Sequence, residues 1–420
     1  MFFRKKNKPL AFFIEDMRHF DYFLNVLQEL SNLKVPFELV VNDMRSTHMH
    51  NVSKDVDLTV LETAQKSGFP FTPLSIALKG KKQYDWIVST FTMKIPVPNG
   101  HSSILNKIKL ILYLAILKIA ILLDKKNLST SFRIKYELVK KSSIKIPEMW
   151  LASSRIHFPK GLDMHRSKFP NPDLDGIIDH YFCHGEFDKN LVESRLNVPV
   201  TVIGYPRYDH IENNRTLLVD KLRSEFNIHP DKEIITWIPS YVTRKGSEDF
   251  NFDSWVEYVK KLTKEYAVIV RPHPKRIENG ANKLLELLQS SGFYVDSKVN
   301  RDMRELYGGS RFVLCDYGGV VFSAIYTDCQ LILLNHAEHG NEVSWKENLM
   351  VYQIRDQMLN LNVNDLKVNP DLIQDLINDP SIWKKQSEVQ SKIKKQLFGS
   401  EIHNGSQIAA QKIKSIIETH

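Results

Sequence analysis

The sequence predicts an α/β protein of two domains with a cleft between them. Its 420 residues exceed the size of about 250–300 residues at which one hydrophobic core stops growing. Short apolar runs alternate with amphipathic segments along most of the chain, which is typical of strands followed by helices. With 42% hydrophobic and 25% charged residues, the composition is that of a folded globular chain and excludes disordered and collagen-like proteins.

The first half predicts an α/β layer. After a strand at its start, an amphipathic stretch that reaches residue 30 indicates a helix. Predicted strands lie at residues 10–14, 35–41, 86–88 and 198–203. A turn with the sequence Gly-Tyr-Pro-Arg follows at residues 204–207. We assign residues 1–210 to an N-terminal domain.

The second half predicts a parallel sheet covered by helices on both faces, because strands and helices alternate at regular spacing. Predicted strands lie at residues 233–238, 267–270, 311–315 and 331–334. Predicted helices lie at residues 255–266, at residues 282–290 and from residue 321. We assign residues 211–398 to this domain, and residues 399–420 to an amphipathic helix that packs back on the first domain.

Cysteine usage and the amino terminus indicate a cytoplasmic protein without a metal site. The three cysteines, Cys183, Cys315 and Cys329, show no CxxC spacing, which argues against a disulfide framework and a zinc site. The basic start of the chain is not followed by the uninterrupted apolar stretch and small-residue cleavage site of a signal peptide. We expect no metal and no cofactor.

The formal net charge of +8 comes from one segment. Residues 104–123 are mostly Ile, Leu and Ala, but Lys107, Lys109 and Lys118 interrupt them and make a poor transmembrane helix. Between Lys107 and Lys145 there are ten basic and two acidic residues, and the rest of the chain is balanced. Residues 104–145 therefore predict an element on an anionic membrane surface; a buried helix with solvated basic flanks fits the segment equally well.

The strand at residues 267–270 runs into a loop that is suited to a diphosphate. The loop Arg271-Pro272-His273-Pro274-Lys275 carries two cations and an imidazole, and two prolines stiffen it. Ligands in open α/β sheets bind beyond the carboxyl ends of the strands, where this loop is expected. The alternative is a surface loop whose prolines only end the strand.

A second loop follows the strand at residues 311–315. Its glycines, Gly318 and Gly319, permit a tight strand-to-helix turn whose helix amino terminus favours negative charge. Asp316 opens this turn and either contacts the ligand or caps the turn. Ser323 lies further along the same helix. These residues are candidates for phosphate binding.

Other loops supply hydroxyls, one guanidinium and several imidazoles. Ser240 and Arg244 follow the strand at residues 233–238 and are expected to border the same cleft. In the first half, His157, His165 and His184 offer imidazoles on loops. A single histidine is more often structural than catalytic, but group transfer to a hydroxyl needs a base such as imidazole. The sequence contains no GxxxxGK[ST], GxSxG, HExxH or GxGxxG motif and no nucleic-acid-binding module.

As a set, these blocks resemble the CDP-glycerol glycerophosphotransferases of teichoic acid and capsule synthesis. The resemblance rests on GYPRYD at residues 204–209, PSY at 239–241, RPHPK at 271–275, CDYGGVVFSAIY at 315–326 and LILLN at 331–335. It implies a GT-B-like architecture, in which two Rossmann-like domains face each other across a cleft. It also implies that the second domain binds a nucleotide-activated donor and that His273 contacts the donor phosphate.

The sequence departs from this family at two places. Gly318 and Gly319 stand where the family usually has two serines after Asp-Tyr, which leaves backbone contacts to the donor phosphate in place of hydroxyl contacts. The family's catalytic base lies in a His-Gly motif with a nearby lysine. His157 falls near that place, with Lys160 close by but without the glycine. His184-Gly185 has the dipeptide but comes later in the chain, and we favour His157 as the base.

The resemblance implies a metal-independent transfer of a polyol phosphate from a CDP-linked donor to a hydroxyl of a membrane-linked polymer. His157 would accept the hydroxyl proton, while Arg271, His273, Lys275 and the glycine turn would hold the diphosphate. A GT-B glycosyltransferase or a nonhydrolysing UDP-sugar 2-epimerase of capsule or lipopolysaccharide synthesis would carry similar features. A non-catalytic module that tethers a polysaccharide assembly to the membrane is an alternative of another class.

Overall fold

The computed structural model contains two parallel sheets and one small antiparallel sheet. It describes residues 8–44, 46–48, 53–54, 59–79, 83–90, 93–96, 144–145, 147–161, 170, 176–239, 250–273, 282–298, 301–335, 350–399 and 404–419. The predicted membrane-surface element at residues 104–145 lies outside the described residues except for residues 144–145. In the described part of the chain, no helix is both long and apolar enough to span a bilayer.

The first sheet has seven parallel strands in the order β11-β10-β9-β6-β1-β2-β5. Its strands are β1 (Lys8–Ile14), β2 (Glu38–Val41), β5 (Phe71–Pro73), β6 (Tyr84–Ser89), β9 (Ala152–His157), β10 (His180–Cys183) and β11 (Val200–Val202). Strand β1 is buried on both faces from Leu10 to Ile14, which explains its unbroken apolar sequence. The small antiparallel sheet beside it has the order β4-β3-β7-β8. Its strands are β3 (Ser46–His48), β4 (Ser53–Lys54), β7 (Met93–Pro96) and β8 (Ile144–Lys145).

The second sheet has six parallel strands in the order β14-β13-β12-β15-β16-β17. Its strands are β12 (Ile234–Ile238), β13 (Ala267–Val270), β14 (Tyr294–Val295), β15 (Phe312–Cys315), β16 (Gln330–Leu334) and β17 (Asn360–Leu361). The four main strands lie within one residue of their predicted positions. The short edge strands β14 and β17 were not predicted, because two residues carry no periodicity.

The described helices cover the faces of the two parallel sheets and end the chain. They are α1 (Met17–Asn32), α2 (Thr59–Ser67), α3 (Leu74–Ala77), α4 (Pro147–Leu151), α5 (Glu186–Glu193), α6 (Arg215–Phe226), α7 (Phe250–Lys261), α8 (Asn282–Ser290), α9 (Met303–Gly309), α10 (Gly319–Tyr326), α11 (Met350–Gln353), α12 (Val363–Val368), α13 (Leu372–Asn378), α14 (Pro380–Phe398) and α15 (Gly405–Glu418). Short 3₁₀ segments lie at Pro206–Tyr208, Glu212–Asn214, Leu262–Lys264 and Arg355–Gln357.

The last two helices cross from the second sheet to the first. Helix α14 packs on α5 and α10, and α15 packs on α1. The amino end of α5 comes so close to α14 that a Cβ on Gly185 would lie 2.2 Å from the Leu397 carbonyl oxygen, so only glycine fits there. Ala410 and Ile413 of α15 are fully buried in the core of the first sheet. The domain limits at residues 210 and 398 stay a prediction.

The segment between the two sheets is fixed at both sides. Asp209 accepts hydrogen bonds from the backbone N–H groups of Gly405 (3.1 Å) and Ser406 (2.6 Å) and thereby caps α15. The Tyr205 backbone N–H donates to the Tyr326 hydroxyl of α10 at 3.1 Å. Both sheets therefore hold the residues 205–209 that connect them.

Candidate active site

The carboxyl ends of the strands in the first sheet present buried histidines. His157 is the last residue of β9 and lies beside Tyr181 of β10, with ring centroids 4.4 Å apart. Burial, with smaller contributions from Lys160 and His184, lowers the pKa of His157 to about 3. The imidazole is therefore neutral near pH 7 and available as a proton acceptor.

His184 follows the next strand, β10, and is fully buried. Its Nδ1 lies 2.7 Å from the Gly204 carbonyl oxygen, and its ring packs on Tyr205 with centroids 4.1 Å apart. Burial lowers the pKa of His184 to about 4. The structure thus brings the two histidines weighed from the sequence to adjacent strand ends.

A buried polar cluster lies along the same edge, at the ends of β1 and β6. His19 Nδ1 accepts from the Glu15 backbone N–H, and Nε2 lies 3.2 Å from Thr90 Oγ1. Glu148 of α4 is fully buried nearby, and burial raises its pKa to about 7. No sequence pattern singles out Glu148, because a carboxylate at the start of a short helix is ordinarily exposed.

In the second sheet, Arg271 follows β13 and is tied to an acidic partner. It is buried, and Nη1 donates to Asp296 Oδ2 at 2.7 Å and to the Lys298 carbonyl oxygen at 2.8 Å. Asp296 is shared with Arg301, whose Nη2 donates to Oδ1 at 3.0 Å. Arg301 and Lys298 both pair with Glu225 and together lower the pKa of that carboxyl to about 2. Arg271 therefore belongs to a buried network that shapes the strand end.

His273 is half-buried two residues beyond Arg271, at the end of that strand. Lys275 of the same loop lies outside the described residues, and so do Ser240 and Arg244 beyond β12. Their roles at the donor site stay predictions.

The glycine turn lies where β15 passes into α10. Gly318 has φ +89° and precedes Gly319, the first residue of the helix. Such a φ favours glycine, and a Cβ there would meet nothing within 4 Å. Asp316 is buried, and its Oδ1 accepts from the Tyr317 backbone N–H at 2.7 Å, so the carboxylate supports the turn. The amino terminus of α10 has no side-chain cap, which leaves its N–H groups suited to an anion.

Arg355 and Ser323 support the two sides of this turn. Arg355 donates to the Asp316 carbonyl oxygen and, from Nε at 2.8 Å, to Asn335 Oδ1 beyond β16. Its guanidinium lies 4.0 Å from the centroid of the Tyr317 ring. Ser323 is buried in α10, and its hydroxyl faces the Tyr208 phenol. The sequence did not indicate Arg355, which comes about 40 residues after the turn.

Arg207 lies on the segment that connects the sheets. Its guanidinium carbon is 5.1 Å from the centroid of the Tyr22 ring on α1, and its Nη2 is 3.8 Å from Asp21 Oδ2. Asp302 and Arg304, at the start of α9, interact electrostatically with Asp21 across the junction. The sequence marked this segment only as part of a family pattern. In the described part of the chain, no group of three or more His, Cys, Asp or Glu side chains is arranged for a metal ion.

Comparison with known sequences relates this chain to a protein family. The model of the family CDP-Glycerol:Poly(glycerophosphate) glycerophosphotransferase matches residues 46–329, about two thirds of the chain. The teichoic acid poly(glycerol phosphate) polymerases of Bacillus subtilis (strain 168) and Bacillus spizizenii (strain W23) are each 32% identical over 143 residues. These matches span 33% of this chain but only 17% and 33% of the two relatives.

Solved structures share the fold. The wall teichoic acid polymerase TagF, in a structure obtained after a soak with CDPG, aligns over 99% of this chain and 90% of its own with a TM-score of 0.55 and 15% identity. A UDP-GlcNAc 2-epimerase from Neisseria meningitidis aligns over 97% of this chain and 100% of its own with a TM-score of 0.50 and 13% identity. The predicted α/β, GT-B-like architecture is confirmed. From its match to the family model, the chain belongs to the CDP-Glycerol:Poly(glycerophosphate) glycerophosphotransferase family.

Proposed function

We propose that this protein transfers glycerol phosphate, or a related polyol phosphate, from a CDP-linked donor to a hydroxyl group of a cell-surface polymer. The match of the family model over residues 46–329 carries this proposal. The carboxyl ends of the strands support it. Those of the first sheet present neutral imidazoles, and those of the second sheet present a helix amino terminus and the buried cation Arg271. Proton transfer and diphosphate binding need these two environments.

In the proposed reaction, an acceptor hydroxyl oxygen forms a bond to the phosphorus that carries glycerol. The bond from that phosphorus to the CMP phosphate oxygen breaks, and CMP leaves with the electron pair. His157 takes the hydroxyl proton. The negative charge of a bound donor would raise the low pKa of the buried imidazole and make it a better base than in the free protein.

The donor diphosphate is held at the second sheet. The N–H groups at the amino terminus of α10 would contact its oxygens, with His273 donating a hydrogen bond from the end of β13, which β12 separates from β15. Lys275, Ser240 and Arg244 complete the donor site in this proposal. Arg271 acts there through its charge and by holding the strand end, since Nη1 is bonded to Asp296. The transition state is stabilised mainly by position and charge.

The nucleotide released identifies the donor. The purified full-length protein would be incubated with CDP-glycerol, CDP-ribitol, UDP-sugars and CMP-sugars in the presence of a poly(glycerol phosphate) oligomer. We expect CMP from a CDP-polyol and growth of the oligomer by one or more units. A His273→Ala protein that keeps full activity with every CDP-polyol would contradict the donor site, and release of no nucleotide would favour a non-catalytic binding module.

We further propose that the acceptor is membrane-linked and that the protein works on the cytoplasmic face of the membrane, held there by the basic segment at residues 104–145. The supporting observation is the concentration of the whole net charge in that segment. Sedimentation with vesicles containing anionic lipid tests this. Neutralising the lysines should release the protein, whereas unchanged sedimentation would make the charge a solvated face.

A further inference from the structure

Within the described part of the chain, Arg207 carries a buried N–H donor, Nε, that has no hydrogen-bond partner. Only 9% of its side chain is exposed, and its Nε is fully buried. Within the described part of the chain, no hydrogen bond joins this guanidinium to another residue. The Asp21 carboxylate oxygen 3.8 Å from Nη2 is beyond hydrogen-bond distance. A guanidinium carries five N–H donors in one plane, and buried donors are ordinarily satisfied.

Aromatic rings pack against the guanidinium of Arg207 without satisfying its N–H donors. The guanidinium carbon lies 5.1 Å from the centroid of Tyr22 and 5.9 Å from that of Tyr208. A ring face interacts with the positive charge, but it does not replace an oxygen in the plane of the N–H groups. Arg207 is thus held in place for an acceptor that the residues described by the structure do not supply.

We propose that Arg207 binds a phosphate ester of a polyol phosphate at the junction of the two domains, through contacts that are additional to those of the glycine turn. The ester is either the terminal unit of the acceptor chain or the glycerol phosphate of the donor. Arg207 would form two parallel hydrogen bonds to phosphate oxygens, as guanidinium groups do.

The position of Arg207 fits a reactant that reaches both domains. On one side, Asn25 of α1 donates to the Pro206 carbonyl oxygen at 2.8 Å. On the other side, the Tyr208 ring packs on Tyr307 with centroids 5.6 Å apart. The Tyr307 hydroxyl donates to the Val320 carbonyl oxygen in the first turn of α10. Arg207 is therefore connected to the predicted donor turn through two aromatic side chains.

The charges around Arg207 suit a ligand that carries both phosphate and hydroxyl groups. Asp21 offers a hydrogen-bond acceptor for a polyol hydroxyl next to the guanidinium. The groups that face Asp21 are Arg207, Asp302, Arg304 and Asp16, and Arg304 is itself paired with Asp302 at 2.7 Å. Burial raises the pKa of Asp21 to about 6, so an arriving phosphate meets a carboxyl that takes up a proton readily. Phosphate binding should therefore strengthen as the pH falls through 6.

The identity of the polyol phosphate rests on the proposed function, so the test measures binding separately from turnover. Wild type, Arg207→Gln and Arg207→Lys would be titrated by calorimetry with a poly(glycerol phosphate) oligomer, CDP-glycerol and CMP. Arg311→Gln is the matched control, because Arg311 pairs with Glu233 at the opposite end of the second sheet and is half exposed.

We expect Arg207→Gln to lower the affinity for one of the two polyol phosphate ligands about tenfold to a hundredfold and to leave the affinity for CMP unchanged. If only the affinity for the oligomer falls, the ligand of Arg207 is the acceptor. If only the affinity for CDP-glycerol falls, the ligand is the donor. Arg207→Lys keeps the charge without the planar fork and should show an intermediate loss, which carries the test if the glutamine variant does not fold.

Wild-type affinity of a folded Arg207 variant for both the oligomer and CDP-glycerol would overturn the junction site. Absence of CMP release by a wild type whose ligand binding depends on Arg207 would instead overturn the proposed function alone.

Discussion

The carboxyl ends of the strands in the first and second parallel sheets, called here the first edge and the second edge, carry different kinds of polar group. At the first sheet, His157 and His184 are buried and neutral, and burial lowers their pKa values to about 3 and 4. At the second sheet, Arg271 and Arg355 are buried and bonded to Asp296 and Asn335. The first edge can change its protonation state, whereas the second keeps a fixed charge. One edge is therefore suited to proton transfer and the other to holding an anion.

The largest expected effect is on turnover at the first edge. His157→Gln removes the proposed base and should lower the rate of transfer by about 10²- to 10⁴-fold, because positioned proton transfer contributes that much. The affinity for CDP-glycerol, measured by calorimetry, should stay within twofold of wild type. His184→Gln is the matched comparison at the adjacent strand end. A larger loss for His184→Gln than for His157→Gln would transfer the role of base to His184.

At the second edge, the largest effect should be on stability. Asp296→Ala leaves Arg271 and Arg301 buried without their shared carboxylate and should lower the free energy of unfolding by about 3–5 kcal/mol. Urea denaturation followed by circular dichroism measures this loss. The control is Glu233→Gln at the exposed pair with Arg311, where about 1 kcal/mol or less is expected. Equal losses in the two variants would mean that the network is not what fixes the second edge.

Much of the fold followed from the sequence, because buried parallel strands have an unbroken apolar pattern. The strand at Ala267–Val270 and the helix at Asn282–Ser290 match their predicted limits. The helix predicted from residue 321 begins two residues earlier, at Gly319, because Gly318 with its positive φ makes the turn. Strand and helix positions depend on local pattern, which a single sequence displays.

The candidate site was harder to predict from the sequence, because its geometry depends on contacts between residues that are far apart in the chain. The sequence placed Arg271 on the expected loop but could not reveal Asp296, 25 residues later, as its partner. Arg355 reaches the glycine turn from 39 residues away. The burial of Arg207 against Tyr22 depends on α1 packing against residues 205–209. No local pattern records such contacts.

Because the histidines of the first edge are buried and neutral, we expect the stability of the protein to fall in acid. The folded-state pKa of His184, about 4, lies below the ordinary value of 6.5, so the unfolded chain binds more protons between these pH values. Stability should fall as the pH drops from 6.5 to 4, and His184 should account for up to about 3 kcal/mol of that loss. In His184→Gln the pH dependence should be flatter by this amount in urea titrations. His229→Gln, which changes an exposed histidine, is the control and should keep the wild-type slope. The same slope in both variants would show that His184 is not the acid-sensitive group.

The junction between the two edges should respond to pH with the opposite sign. The folded-state pKa of Asp21, about 6, lies above the ordinary value of 3.8, so the folded protein binds more protons between these pH values. This carboxyl therefore costs stability as the pH rises from 4 to 6, and the full cost of about 2 kcal/mol persists above pH 6. Asp21→Asn removes the cost, and its free energy of unfolding relative to wild type should rise by that amount between pH 4 and pH 7. A difference that does not change with pH would mean that Arg207 fully compensates the buried carboxylate. The junction would then resemble the ion pairs of the second edge, and Asp21 would not take up a proton when a phosphate binds.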